Sequence, residues 1–275
     1  GLVLALIAIG LVVTMGLMRV TNLAHGAFAA IGGYLSTGLM TNIGVPFPLA
    51  ILVASLAVAI FSIAVERAFY VYLYTATELE QVLLTIGLDF IVIGGLTFFY
   101  GPIVYPTPLP SCLLADVDLG IQSIQTYRLA VVAVSLVVIG ALWYVFERTT
   151  LGAKLRASVD NRTMAQSTGV NVTMLFSVTF ALGSGLAALG GALGAPMLPL
   201  EPLYPFKYLI LVLIVVALSG FGNVKSVVGV ALIVGVVETA GRLFFPRLGG
   251  FLIYLLLIVL MIWRPDGLFS IRRAR

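Results

Sequence analysis

The chain has 275 residues, 61% hydrophobic and only 9% charged, against about 25% charged and 45–50% apolar in a soluble domain; its mean hydropathy is +1.17. That balance excludes a water-soluble enzyme and a disordered chain, and a net charge of +4 spread over scattered Lys and Arg makes no basic stripe for nucleic acid. One cysteine, Cys112, and one histidine, His25, allow no intrachain disulfide, no multi-histidine metal site and no implied cofactor, which leaves a polytopic membrane protein surrounded by lipids.

A helix needs about 20 mostly apolar residues to cross a bilayer core. Runs of that kind, bounded by charges, prolines or polar clusters, fall at 1–18, 27–41, 47–65, 82–100, 128–146, 174–195, 206–221, 226–244 and 250–263. They are continuously apolar, without the alternation of a membrane barrel. The expectation is an all-α transmembrane bundle, a single transmembrane domain over 1–275, with about eight or nine spans and room for broken helices. Run 1–18 lacks a basic leader and a cleavage site and reads as a span, not a signal peptide. Because the chain opens on Gly1 rather than Met, residues upstream of it are expected.

Between the first two runs, Asn22-Leu23-Ala24-His25-Gly26 interrupts the apolar pattern, and Gly26 with Ala27, Ala29 and Ala30 permits close helix approach. Broken helices in transporters turn their ends toward substrate, and a carboxylate is drawn to a helix N-terminus. Asn22, His25 and Gly26 are therefore candidates for a translocation path; the plainer alternative is a turn beyond the first span, with His25 bonded to backbone. Asp89 in the fourth run and Glu238 in the eighth are acids at membrane depth, where a charge costs roughly 2.5–3.5 kcal/mol on insertion scales. No basic relay accompanies them, so an interhelical hydrogen bond or local pairing is favoured over a proton pathway. The proline-rich connections 101–127 and 196–205 are too short and apolar to form a ligand-binding lobe or a nucleotide-binding domain.

Residues 147–173 are the one long charged connection, with Glu147, Arg148, Lys154, Arg156, Asp160 and Arg162. Leu151, Leu155 and Ala157 fit a short amphipathic helix over 151–158. Asp160 is expected to N-cap a second one through Met164 and Ala165, with Gly169 as its stop. Helices of this kind suit docking into a groove on a soluble partner, although a merely solvated loop is the alternative. Further on, Gly183, Gly185, Gly190, Gly191 and Gly194 read as a packing seam. Gly220 to Lys225, including Gly222, marks a break that is a candidate counterpart of Asn22 to Gly26.

Orientation follows from basic residues in short connections. Placing 147–173 in the cytoplasm collects Arg19, Arg67, Arg148, Lys154, Arg156, Arg162, Lys225, Arg264, Arg272, Arg273 and Arg275 inside. Only Arg128, Lys207, Arg242 and Arg247 then remain outside. The C-terminus is expected to be cytoplasmic.

The stretch Thr149-Thr150-Leu151-Gly152-Ala153-Lys154-Leu155-Arg156-Ala157, continued by Met164-Ala165, Gly169-Val170-Asn171 and Phe180-Ala181-Leu182-Gly183, resembles the ATPase-docking segment of permease subunits from branched-chain amino acid ABC importers. Asn22-Leu23-Ala24-His25-Gly26 looks like that family's Asn-x-Ala-His-Gly signature. Glu80 to Gly87 and Arg264-Pro265-Asp266-Gly267-Leu268-Phe269 resemble further family segments, so the likeness runs over nearly the whole chain. Ser219-Gly220-Phe221-Gly222-Asn223 departs from the Gly-Gly-x-Gly-Ser turn of many relatives.

The resemblance implies an inner-membrane permease subunit. Its partners would be a second permease, paralogous or identical, two cytoplasmic ABC ATPases and a periplasmic binding protein, and its substrate a hydrophobic amino acid. It implies docking through Leu151, Gly152, Lys154, Arg156, Ala157, Asp160, Arg162, Ala165 and Gly169. Urea or a short amide is the alternative cargo, and a standalone ion-coupled carrier the alternative mechanism. Metalloprotease, serine-hydrolase and P-loop signatures are absent from the sequence, which speaks against an intramembrane enzyme.

Overall fold

The computed structural model describes residues 1–18, 20–74, 76–109, 113–118, 123–220, 224–245 and 249–263. Apolar runs fold as helices because lipid leaves backbone groups no partner but their own segment. In chain order these are α1 (Leu2–Met18), α2 (His25–Gly38), α3 (Phe47–Val65), α4 (Val71–Leu73), α5 (Glu78–Tyr100), α6 (Thr126–Arg148), α7 (Thr150–Asp160), α8 (Arg162–Ser167), α9 (Val172–Gly194), α10 (Tyr204–Ser219), α11 (Val224–Phe244) and α12 (Gly249–Trp263).

Local chemistry sets many of the ends. α2 runs on as a π segment, Leu39–Ile43, closed by Gly44 at φ +76°, and a second π segment, Glu66–Tyr70, joins α3 to α4. Thr77 and Glu80 form a reciprocal capping box that starts α5, and Gly101 ends it.

Among the described residues, five helical stretches are long and apolar enough to span a bilayer: Phe47–Leu73, Glu78–Tyr100, Thr126–Arg148, Val172–Gly194 and Ser226–Phe244. Leu2–Gly16, Tyr204–Ser219 and Phe251–Trp263 are shorter apolar helices. This is the expected polytopic helical bundle. The third run differs from its expected limits: the π segment carries it past 65, where Glu66 and Arg67 read as a boundary, because Glu66 is buried against other helices rather than solvated. In the proline-rich connection, β1 (Asp116–Asp118) and β2 (Ser123–Gln125) form a small antiparallel hairpin with Val117 opposite Ile124. That connection is tied to the one preceding α10, where the Tyr105 amide donates to the Leu200 carbonyl at 2.8 Å.

At the centre, α9 packs against α1, α2 and α3, and α1 also touches α10 and α11. Ala5, Leu6, Ala8, Ile9 and Leu11 of α1 have no exposed surface. Glycines let the backbones meet. A Cβ on Gly191 would stand 1.9 Å from the Ala29 carbonyl oxygen, one on Gly183 2.8 Å from the Gly10 carbonyl, and one on Gly32 2.4 Å from Ala188. Such seams gain dispersion contact where apolar burial alone gives no advantage over lipid. The surrounding helices turn large side chains outward, among them Leu56 of α3, Phe98 of α5, Val137 of α6 and Ile258 of α12, as a lipid-facing surface requires.

The seam predicts a contrast between two helical glycines. Gly191→Ala should destabilise the purified protein in detergent by about 1–3 kcal/mol, lowering its thermal midpoint. Gly87→Ala, where a Cβ meets nothing within 4 Å, should not lower it.

Candidate functional site

Two helices begin inside the bundle. His25 Nε2 donates to the carbonyl of Ile7 at 2.9 Å, and Ile7 lies about three turns, or roughly 16 Å, before the end of α1. The segment after α1 therefore folds back alongside it, and α2 starts level with the middle of α1 rather than at its end. α10 begins beside it: a Cβ on Gly26 would be 2.4 Å from the Pro205 carbonyl oxygen, and Gly33 of α2 meets the Leu200 side chain. The chain leading into α10 thus runs along α2, and the first turns of the two helices pack together. The His25 and Gly26 amides open α2, whereas in α10 the Tyr204 amide donates to the Glu201 carbonyl and Pro205 has no N–H; each helix start carries a partial positive charge.

Polar side chains gather there. Tyr70 Oη donates to Asn22 Oδ1 at 2.6 Å, and Gln81 Oε1 accepts from the Thr21 amide at 2.8 Å while its amide donates to the Leu73 and Ala76 carbonyls. Gln81, Thr85 and Asp89 form one buried stripe on α5 at four-residue spacing. Thr85 bonds back to the Gln81 carbonyl. Asp89 is fully buried beside the Ala27 amide in the first turn of α2, yet neither carboxylate oxygen reaches hydrogen-bond geometry, and Asn22 Nδ2 and His25 Nδ1 are likewise unpartnered. Next to Asp89, Phe90 packs on Phe206 of α10 with ring centroids 5.4 Å apart. Phe180 of α9 lies between Tyr70 and Phe28.

Of the sequence candidates, the structure brings Asn22, His25, Gly26 and Asp89 to this region. It does not bring Gly220 there: Gly220, at φ +74°, caps the opposite end of α10, roughly 22 Å of helix away from Pro205. Gly222 lies outside the described residues. Glu238 pairs within its own helix, 2.7 Å from Arg242 Nη2.

The 147–173 connection holds the expected pair of helices, α7 and α8. One expectation is corrected: Asp160 ends α7, and the cap of α8 is Asn161, whose side chain accepts the Met164 amide at 2.9 Å. α7 runs to Asp160, two residues past the expected 158, and Asn161, with φ −149° and ψ 98°, is the first residue extended enough to cap. Gly169 is the stop, at φ +84°; its amide donates to Gln166 and that of Val170 to Ala165, a Schellman arrangement.

Gly152 and Arg156 turn inward. A Cβ on Gly152 would fall 2.0 Å from the Phe146 carbonyl oxygen, and Arg156 Nη1 donates to that same oxygen at 2.6 Å. Together they clamp α7 on the end of α6. Leu151 is half-buried, and Leu155 and Ala165 are buried. Lys154, Ala157, Asp160 and Met164 stay exposed, and the Arg162 side chain lies outside the described residues. A groove of about 500 Å³ opens beside them, lined by Leu151, Lys154, Gly169, Asn171, Met174 and Val178 among others.

A buried network connects the two regions. Asn171 caps α9 by accepting from the Met174 amide. Along α9, Ser177 Oγ donates to Glu66 Oε2 at 2.7 Å. Tyr74 Oη donates to Glu66 Oε1 at 2.5 Å, and Arg67 Nε donates to Ser177. Glu66 opens the π segment that ends at Tyr70, the partner of Asn22. Sequence reasoning passed over Glu66, Tyr70 and Ser177. The available signal was the four-residue spacing of Gln81, Thr85 and Asp89, which marks an inward polar face on an apolar helix.

Comparison with known proteins adds the family context. The family described as branched-chain amino acid transport system, permease component, matches residues 1–261. The high-affinity branched-chain amino acid transport system permease protein BraD of Pseudomonas aeruginosa is 26% identical over 96% of this chain and 90% of its own length. The probable branched-chain amino acid transport permease protein LivH of Methanocaldococcus jannaschii is 26% identical over 94% and 84%. LivH of Escherichia coli K12, a high-affinity branched-chain amino acid transport system permease protein, is 24% identical over 96% and 90%. No solved structure matches the chain.

Removing Glu66 takes away a buried carboxylate that accepts from the Tyr74 and Ser177 hydroxyl groups. Glu66→Ala should therefore destabilise the protein by roughly 2–4 kcal/mol. Arg67→Ala, at a side chain 54% exposed, should cost no more than about 1 kcal/mol; thermal unfolding of the two variants in detergent measures the difference.

Proposed function

From the premise that this chain belongs to the branched-chain amino acid transport permease family, we propose that it is the membrane subunit of an ABC importer that moves branched-chain or similar hydrophobic amino acids across the inner membrane. The observation that carries the mechanism is the pair of helices α2 and α10 starting inside the bundle, with unpartnered polar groups around them. Helix ends at membrane depth offer a polar waypoint to a substrate that lipid would reject. The aromatic and aliphatic surroundings give a branched side chain contact without a tight pocket, which favours release; selectivity then resides chiefly in a separate binding protein.

In this reading α7 and α8 face the cytoplasm, as the distribution of basic residues supports, and the exposed face of Lys154, Ala157, Asp160 and Met164 docks on an ATPase. Arg156 and Gly152 act one step back, holding α7 to α6 so that a push on the helix moves the bundle. Asn171, Ser177, Glu66 and Tyr70 form a contiguous route from that helix pair to Asn22. The binding protein meets the opposite end, over the joined connections 101–127 and 196–205. ATP is hydrolysed by the partners, and a second permease, paralogous or identical, completes the pore.

Reconstitution in liposomes tests this. With a second permease, two ATPases and the binding protein, the chain should support ATP-dependent uptake of labelled leucine; alone, under an ion gradient, it should accumulate nothing. Accumulation by the isolated chain would establish a secondary carrier instead, and uptake of urea without leucine would reassign the cargo. Ala157→Asp combined with Lys154→Glu should lower uptake at least tenfold while leaving hydrolysis by the isolated ATPases untouched.

A further inference from the structure

Resting on the permease reading, we propose that Asp89, Asn22 and the first turns of α2 and α10 form a transient binding site for the charged head of a zwitterionic α-amino acid. The ammonium group sits on the Asp89 carboxylate. The carboxylate takes the Asn22 side-chain amide and the His25 and Gly26 amides that open α2.

The argument begins with α5. It turns three polar residues inward, and two of them are already satisfied: Gln81 by Thr21, Leu73 and Ala76, and Thr85 by its own helix. Asp89, the third, has no exposed surface and no hydrogen-bond partner for either oxygen. A permanently structural carboxylate at such a place is expected to carry a cation or several donors. The Ala27 amide lies beside it but outside hydrogen-bond geometry, and that amide already donates to the Ala24 carbonyl at 3.1 Å.

On the segment leading into α2, Asn22 has its carbonyl oxygen fixed by Tyr70, which leaves the amide nitrogen unpartnered in an environment only 1% exposed. One region thus holds an orphan acceptor and an orphan donor. An α-amino acid supplies the complement of each, three ammonium donors and two carboxylate acceptors, on adjacent atoms.

Charge balance selects the zwitterion over its relatives. Two helix N-termini together amount to about one positive charge, and Asp89 supplies one negative charge. A bare cation would satisfy Asp89 but leave Asn22 and the helix ends unanswered, and a bare carboxylate would face Asp89 directly. A zwitterion leaves the balance unchanged on entry and on exit, which suits a site meant to be crossed. Near the charged groups, the buried rings of Phe28 and Phe180 offer an apolar wall to a branched side chain.

Two measurements on the complete reconstituted importer test the site. First, Asp89→Asn should lower leucine uptake at least tenfold, while Asp89→Glu, which keeps the charge, should remain within threefold of the native rate. Uptake by Asp89→Asn within twofold of native, or an equal loss in both variants, overturns the proposal. Second, Cys112 is the sole cysteine, so Thr85→Cys in a Cys112→Ser background places one reactive thiol a turn from Asp89. Millimolar leucine should slow its modification by a small thiosulfonate at least threefold. Leucinamide, which lacks the carboxylate, and 4-methylpentanoate, which lacks the ammonium, should not. Equal protection by either analogue, protection by none of the three, or a thiol that never reacts in any nucleotide state counts against the site. Failure of the native complex to take up any amino acid would sink the permease reading itself; native uptake with an indifferent Asp89 sinks only this site.

Discussion

The architecture depends on backbone-to-backbone contact along the glycine seam of α1, α2 and α9. Only where side chains are absent can the Gly191 position lie against the Ala29 carbonyl and Gly183 against Gly10. That proximity holds α2 so close to α1 that His25 reaches the Ile7 carbonyl, and it sets the start of α2 alongside α1 rather than beyond its end. A seam one methyl wider would lengthen that hydrogen bond beyond use and expose the start of α2 to lipid, where its amides would have no acceptors. The polar interior is thus a consequence of a packing rule among small residues.

Once the helix starts are fixed, the remaining polar groups follow an economy imposed by low dielectric. Gln81 uses both ends of its amide, Tyr70 orients Asn22, and Glu66 receives two hydroxyl donors while Arg67 reaches toward water. Each is a buried group made tolerable by its partners. Asp89, Asn22 Nδ2 and His25 Nδ1 depart from this pattern, and the proposed substrate site rests on the first two.

The α7–α8 connection shows the same logic at the rim. Its sequence has the charge of a solvated loop, but Gly152 and Arg156 converge on one carbonyl oxygen at the end of α6 and make the connection a rigid elbow. In the proposed mechanism, a push on a helix held this way has a path to α6 and, through the cap of α9, to Ser177 and Glu66.

Chain composition and the spacing of apolar runs were enough to determine a multi-pass helical bundle, most helix limits, the helix pair after α6 and its Gly169 stop, because hydrophobic length and capping chemistry are local. Asp89 and Glu238 read alike in sequence, as acids within apolar runs. Glu238 has Arg242 one turn on and pairs with it, a relation already legible in the four-residue spacing. Asp89 has no such neighbour, and its surroundings come from α2 and α10, helices distant in the chain. Which end of α10 meets Gly26, which residues Tyr70 and Ser177 would serve, and that Asn161 rather than Asp160 caps α8 were decided by the tertiary structure. The first two depend on contacts between segments far apart in the chain, and the third on the length to which packing against α6 extends α7.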